Sequence, residues 1–248
     1  MLNLTALSDD DVRTLGEAIV AVTRELAQSM PAPKGAPYYG LDLVLTDLAT
    51  MDAFSQHGIF RKYERALALG GELGGVLRWW ATRFGCTVFG IEERASVGAA
   101  AARLSTRAGL GAQTEFAVGN ATALPLRSGS FTHAWGLEAL ATVADPEAVL
   151  REMFRVLRPG GACALYVSRE RQRDQSLWIA RLGAAGFISP TVRPLPQARP
   201  PQFIVLARRR LRVHLEERAP AVAALVTDLD QPSPSSGGSA LLFGQRPS

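Results

Sequence analysis

The stretch from Ala66 to Gly75, ALALGGELGG, holds the residues best suited to grip a ligand in this 248-residue chain. A short apolar run enters a glycine cluster, and helical spacing follows it. Glycines after a strand let the backbone turn tightly and approach a ligand that a side chain would exclude. Gly70, Gly71, Gly74 and Gly75 read GGxxGG, which is not the GxGxxG of a dinucleotide fingerprint. Glu72 sets a carboxylate between the glycines, in space a ligand would fill, and Ala68 stands on the strand before them.

Three further segments supply partners for such a ligand. Glu92 ends the run VFGIE, 22 positions after Gly70. At about that spacing an acid accepts from the hydroxyls of a ribose. The alternative is a strand-end acid capping the next helix, with Glu93 as well placed. Asn120, in VGNA, offers an amide to an adenine edge or closes an Asx turn, and Ala121 follows it. Leu137, in WGLEAL, lies at a strand end beneath the same ligand. The histidines His57, His133 and His214 lack metal-ligand spacing. His133 alternates within a strand and is read as structural, while His57 faces an acceptor or the surface. No catalytic base is assigned.

These residues need a scaffold that gathers strand ends. Val12, Leu15, Ile19, Val22 and Leu26 recur at helical spacing over 8–29, with Ser8 as N-cap ahead of an acidic first turn. MPAPKGAPYYG (30–40) breaks that helix, and 41–56 is a second helical stretch. Strand-like runs follow at 65–69, 87–91, 114–118, 131–136, 161–167, 187–193 and 240–245. Helical stretches lie at 74–84, 94–108, 146–157, 173–185 and 203–229. This alternation predicts an α/β fold with a doubly wound, seven-stranded, mostly parallel sheet. Residues 1–60 are expected to form a helical cap or lid, and 61–248 one compact α/β unit. One of Trp79 and Trp80 is expected in the core and the other at a groove or the surface. Tyr38, Tyr39 and Phe54 line a pocket beneath the cap or pack it on the sheet.

The hydrophobic fraction of 47% supports a sizeable core. The net charge of +4 is almost all arginine, since only Lys34 and Lys62 are lysines. Arg212 and Glu216 in the densest basic run are four apart and can pair on a helix, so that run is a solvated face and not a nucleic-acid surface. No stretch approaches the roughly 20 apolar residues that span a membrane. The start MLNLTALSDDD carries acids where a signal peptide wants bases. Cys86 and Cys163 stand alone in apolar runs, as reduced core residues of a cytoplasmic protein.

The run from Ala66 to Val167 resembles the class I S-adenosylmethionine-dependent methyltransferases, especially the small-molecule branch related to quinone-biosynthesis enzymes. The matching phrases are ALALGGELGGVLRWWATRFGCTVFGIEE, FAVGNATALPLRSGSFTHAWGLEAL and VLREMFRVLRPGGACALYVS. The resemblance implies a Rossmann-like methyltransferase fold with an antiparallel last strand. It implies S-adenosyl-L-methionine as cofactor, with Gly70 and Gly74 at its methionine part, Gly71 in the same cofactor-binding loop and Glu92 on its ribose. Asn120 and Ala121 would take the adenine, and Leu137 would pack near the methionine end. It implies methyl transfer; the acceptor is expected to be a small organic molecule under a lid made by the N-terminal helices and 203–229, and a homodimer or a partner subunit is a further expectation.

The chain also departs from that family. Its first-strand acid is Ala68 here, its middle glycine is Glu72, and its aspartate after the third strand is Asn120. Thr132 replaces another aspartate, and Ala141-Thr142 occupy the place of a histidine. Glu72 lies four residues from the lost acid and would pair with the cofactor's ammonium in its stead. The competing expectation is a methyltransferase-like protein that has lost methyl transfer and serves as a partner subunit, a binding module or a repurposed enzyme such as a cyclase.

Overall fold

A strand covered on both faces must be apolar throughout, and Ala66–Leu69 of β1 (Arg65–Leu69) are all fully buried. The structure, a computed structural model, describes residues 4, 6–29, 63–136, 143–167, 175–194, 202–228 and 240–248. In it β1 lies between two parallel neighbours, β2 (Thr87–Glu92) and β4 (Phe131–Gly136). β3 (Thr114–Val118) flanks β2, and β5 (Leu157–Val167) flanks β4. β7 (Ala240–Gln245) runs antiparallel between β5 and β6 (Ile188–Pro194), which gives the order β3-β2-β1-β4-β5-β7-β6. The order changes direction between β1 and β4, so a crevice opens at their carboxyl ends.

Helices cover both faces of this sheet. Ala66 and Ala68 pack with Leu77 and Trp80 of α2 (Gly75–Phe84) and with Trp135. Leu67 and Leu69 point the other way and pack with Val149 and Met153 of α4 (Pro146–Val156) and Leu182 of α5 (Gln175–Ala184). The helices α1 (Asp9–Ser29), α3 (Ala95–Arg107), α6 (Gln202–Glu216) and α7 (Pro220–Asp228) share a further apolar cluster.

α1 begins where its cap residues require. The Ser8 hydroxyl accepts from the Asp11 N–H at 3.1 Å, and Asp11 Oδ2 accepts from the Ser8 N–H at 3.2 Å. Val12, Leu15, Ile19, Val22 and Leu26 are all buried, as their spacing predicts. Glu25 bonds His214 at 2.7 Å and Arg210 at 3.4 Å, and Glu17 meets Arg218 at 3.1 Å, so α1 is tied to α6 and the turn after it.

Three expectations are corrected. The stretch 203–229 is two helices, broken ahead of Pro220, which takes the first position of α7, where its missing N–H costs nothing. Apolar residues keep helical spacing on both sides of the break, which hid it. β5 starts at Leu157, directly after α4, because Leu157 already pairs with Phe131 before a register shift. Trp79 and Trp80 are both buried, at 2% and 0% exposure, because Ile204 of α6 joins the cluster around α2. Arg212 and Glu216 do pair, at 3.4 Å. The stretch 41–56 and the linker 30–40 before it lie outside the described residues.

α4 is held at both ends. Asp145 accepts from the Ala148 N–H at 2.9 Å, ahead of Pro146. At the other end the Arg246 guanidinium donates to the carbonyls of Phe154, Arg155 and Leu157, a cation on a helix C-terminus. Replacing Asp145 by alanine is expected to lower the unfolding free energy by about 1 kcal/mol, read as a lower urea midpoint at an unchanged slope.

Candidate functional site

The loop after β1 turns through three left-handed residues: Gly70 (φ 74°), Glu72 (φ 52°) and Gly74 (φ 79°). Gly74 N–H bonds the Gly71 carbonyl at 2.9 Å, and Gly74 then opens α2 without any side-chain cap. Two of the glycines make room for the protein beneath the loop. A Cβ on Gly74 would lie 2.6 Å from Phe116 Cζ, and one on Gly71 would lie 2.5 Å from Leu77 Cδ1. Arg78, fully buried, supports the loop from below: its Nη1 donates to the carbonyls of Leu73 (2.9 Å) and Ala101 (3.4 Å) and to Ser105 Oγ (3.3 Å). Sequence reasoning missed it. The available signal was an arginine among apolar helix positions with no acid three or four residues away.

Glu92 lies under this loop at the end of β2, 9% exposed. Its carbonyl accepts from the Gly119 N–H at 3.0 Å, which locks the ends of β2 and β3 together. Its Oε1 would sit 3.6 Å from a Cβ on Gly71, and that oxygen is buried without a hydrogen-bond partner. Burial pushes the carboxyl up to about 8 against the pull of the Gly71 and Glu72 amides, and the nearby Glu93 adds to the rise. The structure therefore brings Gly71, Glu72 and Glu92 into one place.

Asn120 is exposed beyond β3, and its Oδ1 accepts from both the Thr122 N–H and the Thr122 hydroxyl at 2.8 Å. This is the Asx turn. Ala121 beside it is buried with Leu124. Two α4 residues that sequence reasoning missed clamp this loop. Glu152 Oε2 accepts from the Leu124 N–H at 2.7 Å, and Arg155 donates to the carbonyls of Leu124 (3.0 Å) and Leu126 (2.8 Å). The Arg155 guanidinium bonds Glu152 and holds its carboxyl below the usual carboxylate range. Their spacing of three in REMFR was the visible signal.

Ala68 faces the other way, among the indoles of Trp80 and Trp135, whose rings meet edge-on at 4.1 Å. An acid there would be stripped of water beside two apolar ring systems, so the residue type fits its surroundings. His133 is a strand residue beside Ala66 and Ala162, bonded to Thr132 Oγ1 at 2.8 Å. Burial and the Arg158 charge press it down to about 4, so it is neutral near pH 7. Thr132 in turn donates to the Arg65 carbonyl at 2.8 Å, joining β4 to β1. Leu137, Ala141, Thr142, Tyr38, Tyr39, Phe54 and His57 lie outside the described residues. Among the described residues no group of three metal-ligating side chains comes together, and no helix is long and apolar enough to cross a membrane.

The turn after Glu92 also holds the beginning of the chain. Arg94 donates to the Leu4 carbonyl at 2.7 Å and to Asp9 Oδ1 at 2.6 Å, and Ser96 donates to the same oxygen at 2.6 Å.

A β3-β2-β1-β4-β5-β7-β6 sheet with a reversed β7, and a glycine loop lying over a strand-end acid, defines the class I methyltransferase fold. Residues 67–165 match the family described as "Methyltransferase domain". It is 34% identical over 102 residues to Methyltransferase GfsG of Streptomyces halstedii, covering 41% of this chain and 36% of that protein. The chain spans about a third of the length of the curated relatives it matches. Among solved structures, the [4+2]-cyclase SpnF superposes with a TM-score of 0.64 at 21% identity, covering 95% of this chain and 97% of that one. Geranyl diphosphate methyltransferase in complex with S-adenosylmethionine superposes at 0.56 and 19% identity, covering 80% and 84%. At these identities the likeness is one of fold.

The Glu92 carboxyl has a folded pKa of about 8, against 4.5 for an ordinary glutamate. Because the folded value is raised, its contribution to stability is fully present below about pH 4.5 and is lost as pH rises towards 8. Glu92→Gln removes that titration. The variant's stability relative to the parent is expected to grow between about pH 5 and about pH 8, measured by urea unfolding at both ends of the window.

Proposed function

We propose that this protein is an S-adenosyl-L-methionine-dependent methyltransferase acting on a small organic acceptor. The observation that carries the reading is Glu92 Oε1, a buried carboxyl oxygen without a partner beneath a glycine loop at the sheet's switch point. An unmade hydrogen bond of this kind costs about 1–3 kcal/mol, and a ribose hydroxyl relieves it. When bound, the cofactor supplies a sulfonium-linked methyl group that is already activated for in-line displacement.

The chain's own residues then position and shield. Glu92 accepts from the ribose hydroxyls, and the main chain at Gly70 and Gly71 lies against the methionine part. Glu72 takes the ammonium that Ala68 cannot, Ala121 and Asn120 border the adenine, and the methionine end is assigned to Leu137. Glu152 and Arg155 are positioning residues, since they act through the Leu124 loop. Holding two reactants in line supplies most of the rate in such a transfer, and a general base is needed only for some acceptors. The acceptor side is assigned to residues 1–60 as a cap, together with α6 and α7. Its aromatics Tyr38, Tyr39 and Phe54 suit a small, partly hydrophobic metabolite. Reduced, buried Cys86 and Cys163 suit the cytoplasm.

A second reading is favoured by the buried, apolar setting of Ala68: a methyltransferase-like protein that uses this pocket for binding or for another reaction. Thermal melts separate the two. S-Adenosylhomocysteine at tens of times its dissociation constant is expected to stabilise the protein by about 2 kcal/mol, and Glu92→Gln is expected to weaken its binding by about tenfold or more. No shift at millimolar ligand favours the second reading.

Glu72 is tested by its glycine variant. Relief of the left-handed backbone is expected to stabilise Glu72→Gly by about 1 kcal/mol in urea unfolding. Its binding of S-adenosylmethionine, measured by calorimetry, is expected to be weaker than the parent's, and equal or tighter binding would remove Glu72 from the site.

A further inference from the structure

We propose that Asn120 presents a hydrogen-bond donor, and no acceptor, to the base side of the nucleoside site, so that a purine ligand gains nothing there from its 6-amino group. The proposal rests on the methyltransferase reading above. An amide side chain has one oxygen, and Asn120 Oδ1 already accepts both the N–H and the hydroxyl of Thr122 at 2.8 Å. A backbone N–H can only donate, so that bond fixes which end of the amide is the oxygen. Both of its lone pairs are engaged, and the remaining polar atom, Nδ2, carries only donors. An aspartate in the same turn would hold Thr122 with one oxygen and keep the other as a free acceptor.

The turn is well anchored. The Ala123 N–H bonds the Asn120 carbonyl at 3.0 Å, Ala121 is buried, and the next residue, Leu124, is clamped by Glu152. Rotating the amide to expose its oxygen would break both bonds to Thr122. The preceding residue, Gly119, bonds the Glu92 carbonyl at 3.0 Å, which places the exposed Asn120 one strand over from the ribose acid. On the reading proposed above, in which Ala121 and Asn120 border the adenine, the base of a nucleoside seated on Glu92 meets that amide. The 6-amino group of adenine is itself a donor, and two facing donors make no bond. The ring nitrogens of a purine remain acceptors, for Nδ2 or for the Ala121 N–H.

The test is calorimetric titration of the full chain with S-adenosylhomocysteine and with its 6-deamino analogue, which has purine in place of adenine. The parent protein is expected to bind the two within about threefold of each other. Asn120→Asp keeps the Thr122 turn and regains an acceptor, so it is expected to prefer the 6-amino ligand by about tenfold. A parent preference for the 6-amino ligand above about threefold overturns the proposal, as does an aspartate variant without preference. If the folded parent, checked by circular dichroism, binds neither ligand, the methyltransferase reading itself fails and takes the proposal with it. Binding of both in the wrong ratio overturns the proposal alone.

Discussion

A carboxyl group held out of water governs the architecture around the glycine loop. Glu92 is sheltered by the Gly71–Glu72 backbone above and is fixed along its own main chain by Gly119. Its desolvation is tolerated because the loop's amides point to it, and those amides can do so only while the loop keeps its left-handed turns. The glycines, the buried Arg78 under them and the close approach of Leu77 and Phe116 all serve that one placement.

Polar charge in the loop follows from the same accounting of water. At position 68 the side chain packs among two buried indoles, so a carboxylate there would lack solvent. At position 72 the side chain is half-buried at the mouth of the turn, and its carboxylate retains access to water. The cost moves from desolvation to backbone conformation, since a non-glycine residue at φ 52° is strained by about 1 kcal/mol. A small conformational strain replaces a larger electrostatic one.

The sequence was most legible where burial alone decides. All seven strands overlap the apolar runs, and α1 starts directly after Ser8; the choice was narrowest in β1 and β4, buried throughout save Arg65, and in the single apolar stripe of α1. The chain break before Pro220 was hidden because apolar spacing continued across it. Trp79 and Trp80 were half right, because the cover over α2 comes from α6, more than a hundred residues away. Within the site, Gly70, Gly74 and Glu92 stood out by type and spacing. Arg78, Glu152 and Arg155 stood out less, because each acts on backbone carbonyls or amides, and such a partner carries no side-chain signature. The two uses of Asn120 were indistinguishable until the position of Thr122 was known.

The tie between α1 and the helices near residue 210 has a bearing on how the chain comes together in time. The apolar face of α1 meets α3 early in the sequence, but the rest of its seat is α6 and α7, roughly two hundred residues later. Its ion pairs from Glu17 and Glu25 reach equally far. During synthesis α1 therefore emerges with the α6 and α7 part of its docking surface still unmade. Long-range closures of this kind slow folding, because chain entropy is lost before the contacts return it. α1 is thus fully seated only after α6 and α7 have followed it out of the ribosome.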